Sequence, residues 1–187
     1  LCVVNRAHEK YYGPTLSGEA AKNLVVQPSN RGTAPAILYS LLRIAARDPK
    51  AVVAFFPSDH YISDNEKFMA QIRTALDTAH QRGDLVVLLG LEPESPEVAY
   101  GWIEPGWPLR GHAKIFGVRR FWEKPNKLLA QVLQLRGCLW NSFVMVASVQ
   151  ALLDIIESAI PELYRSFTAL TPLFSTTAEV EAIEQLY

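Results

Sequence analysis

Residues 23–57 read NLVVQPSNRGTAPAILYSLLRIAARDPKAVVAFFP, and this stretch decides the fold class. Asn23 to Gln27 is an apolar run of strand length, stopped by Pro28, which cannot donate to a ladder. Pro28 to Thr33 is a cluster of turn formers. From about Pro35 to Arg47, Ile37, Leu41, Leu42, Ile44 and Ala45 recur at helical spacing, and Pro35 suits a first helical turn. Ala51 to Phe56 is then a continuous apolar strand, the pattern of burial on both faces. Strand, helix and strand in this order imply parallel strands joined by a crossover.

The pattern extends in both directions. Towards the N-terminus, Leu1 to Val4 is another short buried-strand signature, and residues 6–22 are mostly polar and helical or irregular, broken by Gly13-Pro14. Towards the C-terminus, Ser63 or Asp64 can cap a helix reaching about Arg82, with Phe68, Ile72, Ala75, Leu76 and Ala79 inward. Gly83 ends it, and Leu85 to Leu89 is the next strand, closed by Gly90. After Pro93 the alternation changes. Tyr100 to Ile103 and Ile115 to Trp122 read as strands of a mixed or antiparallel section. Lys127 to Arg136 is a helix ended by Gly137, and Trp140 to Ala147 a further strand. Helices over 149–159 and 161–170 follow, and residues 171–187 are amphipathic after Thr176-Thr177. The spacing predicts an α/β fold with a mixed, mostly parallel sheet flanked by helices, and no linker divides residues 1–187 into two domains.

Composition narrows the function classes. The chain has 187 residues, enough for one domain with its own core. Apolar residues make up 49% and charged residues 20%, which suits a soluble protein. The formal net charge is -1, and no basic stripe suggests nucleic acid as a partner. Cys2 and Cys138 form no CxxC and have no ligand-like His spacing, against a disulfide framework or a structural zinc and in favour of a reducing cytoplasm. No apolar run approaches the roughly 18 residues of a membrane span, and no signal peptide opens the chain. Leu1-Cys2-Val3-Val4 reads as an interior strand without an initiator Met, so the chain is expected to be a piece of a longer protein.

In open parallel sheets, ligands gather at the carboxyl ends of strands. Three such places carry polar or turn chemistry. Gln27 to Ala36 brings a glycine turn and the free N–H groups of a helix start, which let a ligand approach closely; it can equally be a plain strand–turn–helix link. Pro57-Ser58-Asp59-His60 puts a carboxylate at the tip of a buried strand, where it can hold Mg²⁺ against phosphates or merely cap a turn. Phe121 to Pro125 (FWEKP) sets Glu123 beside Lys124. On a strand these would point to opposite faces, as divided roles or as a solvated edge. Glu92 to Glu97 is most simply a solvated acidic loop.

Taken in order, Asn30 to Ile37 (NRGTAPAI), Pro57 to His60 with Asp64 and Phe68, Pro96-Glu97 with Tyr100 to Glu104 (YGWIE), Phe121 to Pro125 and Leu139 to Ser142 (LWNS) resemble the bacterial mannose-1-phosphate guanylyltransferases. The likeness covers roughly residues 1–165. It implies a Rossmann-like sugar-nucleotidyltransferase fold, with Gln27 and the Gly32 backbone against the nucleobase and Thr33 nearby. It implies Asp59 as the ligand of the catalytic Mg²⁺ and Lys124 on the phosphate of the sugar 1-phosphate. Gly101, Glu123 and Asn141 would hold the sugar. The implied reaction is attack of a mannose 1-phosphate oxygen on the α-phosphorus of GTP, releasing pyrophosphate and leaving GDP-mannose. Such a transfer needs alignment and charge neutralisation rather than a protein nucleophile, and the sequence has no Ser–His or Cys–His constellation.

The chain departs from the family pattern at several places. The family reads Asn where this chain has Gly32, Thr-Gly where it has Val98-Ala99, and Gly where it has Phe143. These differences leave open another base or another sugar 1-phosphate. The family's opening strand and Gly-rich loop with its Arg are absent from the 187 residues. The isolated chain is therefore expected not to turn over, and its unpaired strand edges are expected to favour a homo-oligomer. A non-catalytic module that binds a sugar nucleotide is the alternative outside enzymology. A glycosyltransferase would carry Asp-x-Asp, and Ser58-Asp59-His60 is the nearest match.

Overall fold

In the computed structural model, strand β1 (Cys2–Asn5) runs parallel to β2 (Leu24–Gln27), with Cys2 opposite Leu24 and Asn5 opposite Gln27. The description covers residues 1–187 apart from the side chains of residues 19, 20, 22, 112 and 113. The chain divides into two compact units. One comprises Leu1–Val53, Arg82–Leu85 and Ala147–Tyr187, the other Ala54–Gln81 and Val86–Val146.

In the first unit, β1 and β2 form a two-stranded sheet of their own. The sequence pattern predicts a buried β1, but Leu1 is 49% and Val3 38% exposed. The reason is topological: β2 is the only strand partner of β1 among the described residues, so the apolar run lies along an open edge. Asn5 Oδ1 accepts from Ala7 N–H (2.9 Å) and turns the chain into a 3-10 turn and a short helix, α1 (Glu9–Tyr12). After β2 the chain enters α2 (Thr33–Ala45), two residues earlier than Pro35 suggests. Leu38, Tyr39, Ser40, Leu41 and Leu42 are its buried residues. The burial is broader than the periodicity implies, because α2 packs against both α5 (Val149–Ala159) and α6 (Pro161–Thr168). Ser148 starts α5 by accepting from Ala151 N–H (3.1 Å) and donating to the Gly83 carbonyl (2.8 Å). The last helix, α7 (Glu179–Leu186), buries Ile183, and Val25, Leu38, Leu41 and Phe167 of the same unit are buried as well.

Strand β3 (Val52–Phe55) passes from the first unit into the second. It is half-buried rather than covered on both faces, because it ends the strand order β3-β7-β5-β6 of the five-stranded sheet. In the second unit, Asp64 Oδ1 accepts from Lys67 N–H (2.9 Å) and caps α3 (Asn65–Gln81), whose Ile72, Ala75 and Ala79 are buried as the spacing predicts. Strand β4 (Val86–Leu91) pairs with β7 (Leu139–Ser148). The two short strands read around residues 100–122 are a long hairpin, β5 (Trp102–Leu109) and β6 (His112–Trp122). Pro105 and Pro108 disguise it in the sequence, and both sit at register shifts of the antiparallel pair, where a missing N–H costs least.

Register then separates two faces. Trp102 pairs with Trp122 on one side and Trp140 on the other, so the three indoles share a face. Helix α4 (Lys127–Leu135) covers it, and Trp102, Ala130, Leu133 and Cys138 form the buried cluster there. Residues one step along each strand face the other way: Gly101, Phe121 and Asn141.

Candidate functional site

The predicted sugar contacts meet on that second face. Asn141 N–H donates to the Gly101 carbonyl (2.8 Å). A Cβ built on Gly101 would lie 2.6 Å from Phe121 Cζ and 3.3 Å from Glu123 Oε2, so the backbone of Gly101 passes directly beneath the Phe121 ring and beside the Glu123 carboxylate. Only glycine fits there without displacement. The Asn141 carboxamide oxygen accepts from Phe143 N–H (3.2 Å) as the chain turns through a left-handed Phe143 (φ 61°), and the amide N–H groups of Asn141 have no acceptor among the described residues.

Glu123 and Lys124 correct the strand reading. β6 ends at Trp122, where its pairing with Trp102 ends, and both residues lie in the bend that follows. Lys124 has φ 40°, unusual for a residue with a side chain, and precedes the buried Pro125. The bend brings both charged groups to the surface, and neither makes a side-chain hydrogen bond or ion pair among the described residues.

Glu97, read as part of a solvated loop, is engaged. Its Oε1 accepts from Val98 N–H (2.7 Å) and Ala99 N–H (2.9 Å), and its carbonyl accepts from the buried Trp102 indole (2.9 Å). These three bonds shape the approach to Gly101. A carboxylate just before its own backbone donors is a local signal that an acidic run conceals. Asp59 lies on the exposed turn after β3. No described hydrogen bond or ion pair joins it to Glu123 or Lys124. Among the described residues no group of three or more His, Cys, Asp or Glu could enclose a metal. A lone exposed carboxylate fits an ion that takes its other ligands from phosphate and water.

The predicted base contacts lie in the first unit. Gln27 ends β2, half-buried. Asn30 Oδ1 accepts from Gly32 N–H (3.0 Å), and Gly32, at φ 86° and ψ -173°, precedes the exposed Thr33 that opens α2. That conformation is open almost only to glycine. Nothing in the sequence points to the partner of Gln27: Tyr187 donates from its hydroxyl to Gln27 Oε1 (3.3 Å). Burial pushes the Tyr187 phenol up to about 12. Arg31, Pro35, Phe167 and Tyr187 are among the residues lining a cavity of about 210 Å³ beside this loop.

Residues 1–170 match the pattern of the nucleotidyl transferase family. The chain belongs to the nucleotidyl transferase family. A relative from Escherichia coli O157:H7 described as mannose-1-phosphate guanylyltransferase 2 is 31% identical over 150 residues, covering 76% of this chain and 31% of the relative. A xanthan biosynthesis protein, XanB, of Xanthomonas campestris pv. campestris (strain B100) is 33% identical over 145 residues, 76% of this chain and 30% of that protein. The chain thus spans about a third of the length of the curated relatives it matches. A crystal structure from Thermus thermophilus, described as a mannose-1-phosphate geranyltransferase, superposes with a TM-score of 0.82 at 26% identity, covering 98% of this chain and 51% of that one. The nucleotidyltransferase fold follows from these matches, and no helix among the described residues is long and apolar enough to cross a membrane.

Proposed function

We propose that this nucleotidyltransferase-family chain is part of an enzyme that transfers GMP from GTP to mannose 1-phosphate, giving GDP-mannose and pyrophosphate. The observation that carries the reading is the notch on the open sheet face. There the Gly101 backbone, the Glu123 carboxylate and the Asn141 amide converge, with Lys124 on the adjoining bend. Glu123 accepts from hexose hydroxyls, and the amide N–H groups of Asn141 donate to a ring substituent. Lys124 supplies a point charge for the sugar phosphate. Gln27 and the Gly32 backbone take the nucleobase, with Thr33 alongside. Asp59 holds Mg²⁺, which neutralises phosphate charge when bound. With mannose 1-phosphate held so, its phosphate oxygen attacks the α-phosphorus of GTP while the P–O bond to pyrophosphate breaks.

Phe143 favours a second reading, a different hexose. It is 43% exposed beside Asn141, and a bulky ring there changes which ring substituents fit. The reading further places the protein in the cytoplasm, as one partial domain over 1–187 that self-associates through the open edge of β1. Light scattering that shows only monomer removes the last point.

Calorimetric titration of the chain with GDP-mannose tests the function. Lys124→Ala and Glu123→Ala are each expected to weaken binding at least tenfold, a loss typical of one charged hydrogen-bonding partner. Wild-type affinity in both variants would remove the notch from the account.

A further inference from the structure

Tyr187 lies beyond the stretch that matches the family, and no motif includes it. Its ring is located without help from Gln27. It packs edge-on against Phe167, with centroids 5.8 Å apart at 79°. Helix α7, which ends beside it, is anchored to α2. Glu179 Oε1 accepts from the Tyr39 hydroxyl (2.5 Å), and Arg43 lies 3.5 Å from the same oxygen. Glu179 Oε2 accepts from Ser175 N–H (2.7 Å), and Glu184 pairs with Arg6 (2.7 Å). The Tyr187 hydroxyl is thus held at a fixed point next to the end of β2, where it reaches Gln27 Oε1 at 3.3 Å.

We infer that Tyr187 is a positioning residue that sets the polarity of the base contact at Gln27. A primary amide has one acceptor oxygen and two N–H donors, and a free one can rotate to offer either. A neutral phenol is a better donor than acceptor. By donating to Oε1, Tyr187 fixes the orientation of the amide with its oxygen towards the phenol and leaves the N–H groups of Gln27 to face the ligand. The loop then selects a base that presents a carbonyl oxygen, such as guanine, over one that presents an amino group at that position, such as adenine, which would set donor against donor. The inference rests on the proposed role of Gln27 as the base contact.

The test is calorimetric titration of the 187-residue chain and of Tyr187→Phe with GDP and with ADP. Phenylalanine keeps the edge contact to Phe167 and removes only the hydroxyl, so the unfolding midpoint should barely move. GDP affinity is expected to fall about three- to tenfold, the range of one neutral hydrogen bond, with ADP affinity unchanged or raised. In a Gln27→Ala background the effect of Tyr187→Phe on GDP should vanish. Equal GDP affinity in wild type and Tyr187→Phe, or an equal loss for GDP and ADP, overturns the inference and leaves Gln27 as a base contact. A wild-type chain that binds neither nucleotide, or a Gln27→Ala chain that binds both as wild type does, removes the base contact and this inference with it.

Discussion

Lys124 stores backbone strain at the point where the account needs a positive charge. A left-handed residue with a side chain costs roughly 1–2 kcal/mol, and the buried Pro125 that follows helps to hold the bend. Lys124→Gly is therefore expected to raise stability by about 1 kcal/mol in urea unfolding while abolishing binding of the sugar phosphate. A variant that is less stable, or that still binds, contradicts the reading of this strain as functional. Gly101 makes the opposite case. Gly101→Ala drives a methyl group into Phe121, and overpacking of this kind costs about 1–3 kcal/mol. Phe121→Leu added to it should recover part of that loss, because it withdraws the ring that collides. A Gly101→Ala variant as stable as wild type would show that the ring simply swings aside. The closeness of Gly101, Glu123 and Asn141 was legible in the sequence through the motifs that group them. The ring over Gly101, the bonds from Glu97 and the hydroxyl behind Gln27 were not, because each depends on a register or packing that residue types do not encode.

Among the elements, α7 has the most to lose from a single change. Glu179 is buried and serves Tyr39, Arg43 and the Ser175 amide together. Glu179→Ala leaves the Tyr39 hydroxyl and a guanidinium unpaired, and about 2–4 kcal/mol of stability should go with it, measured by chemical denaturation. A loss under about 1 kcal/mol would mean that α7 is not anchored there. Burial, and then the bond to Glu179, hold the Tyr39 phenol above its usual value, and burial does the same for Tyr187. Both groups are raised in the folded state. Their contribution is fully present below about pH 10, the value in an unfolded chain, and is lost as pH rises towards the folded values. Stability should thus fall above about pH 10, and less steeply in Tyr187→Phe. A profile that stays flat up to the raised Tyr187 value of about 12 would contradict the burial of both rings. Helices α2, α3, α5 and α6 were legible because each joins a capping or turn residue to an amphipathic repeat. The middle of the β5–β6 hairpin was not, since prolines at register shifts look like the end of a strand. The exposure of β1 was hidden too, because an apolar run does not reveal which neighbours cover it.

At the scale of the whole molecule, the nucleotidyl transferase family match covers residues 1–170. Thermal unfolding in the presence of Mg²⁺ and GDP-mannose, ADP-glucose, UDP-glucose or dTDP-glucose decides whether the chain prefers the guanosine sugar nucleotide. A ligand at a hundredfold excess over its dissociation constant stabilises the folded state by about 2.7 kcal/mol, a rise of roughly 5–10 °C for a chain of this size. That rise is expected with GDP-mannose alone, and its loss in Asp59→Ala and Lys124→Ala. A rise with another sugar nucleotide instead, or one with GDP-mannose that survives both substitutions, would contradict that expectation.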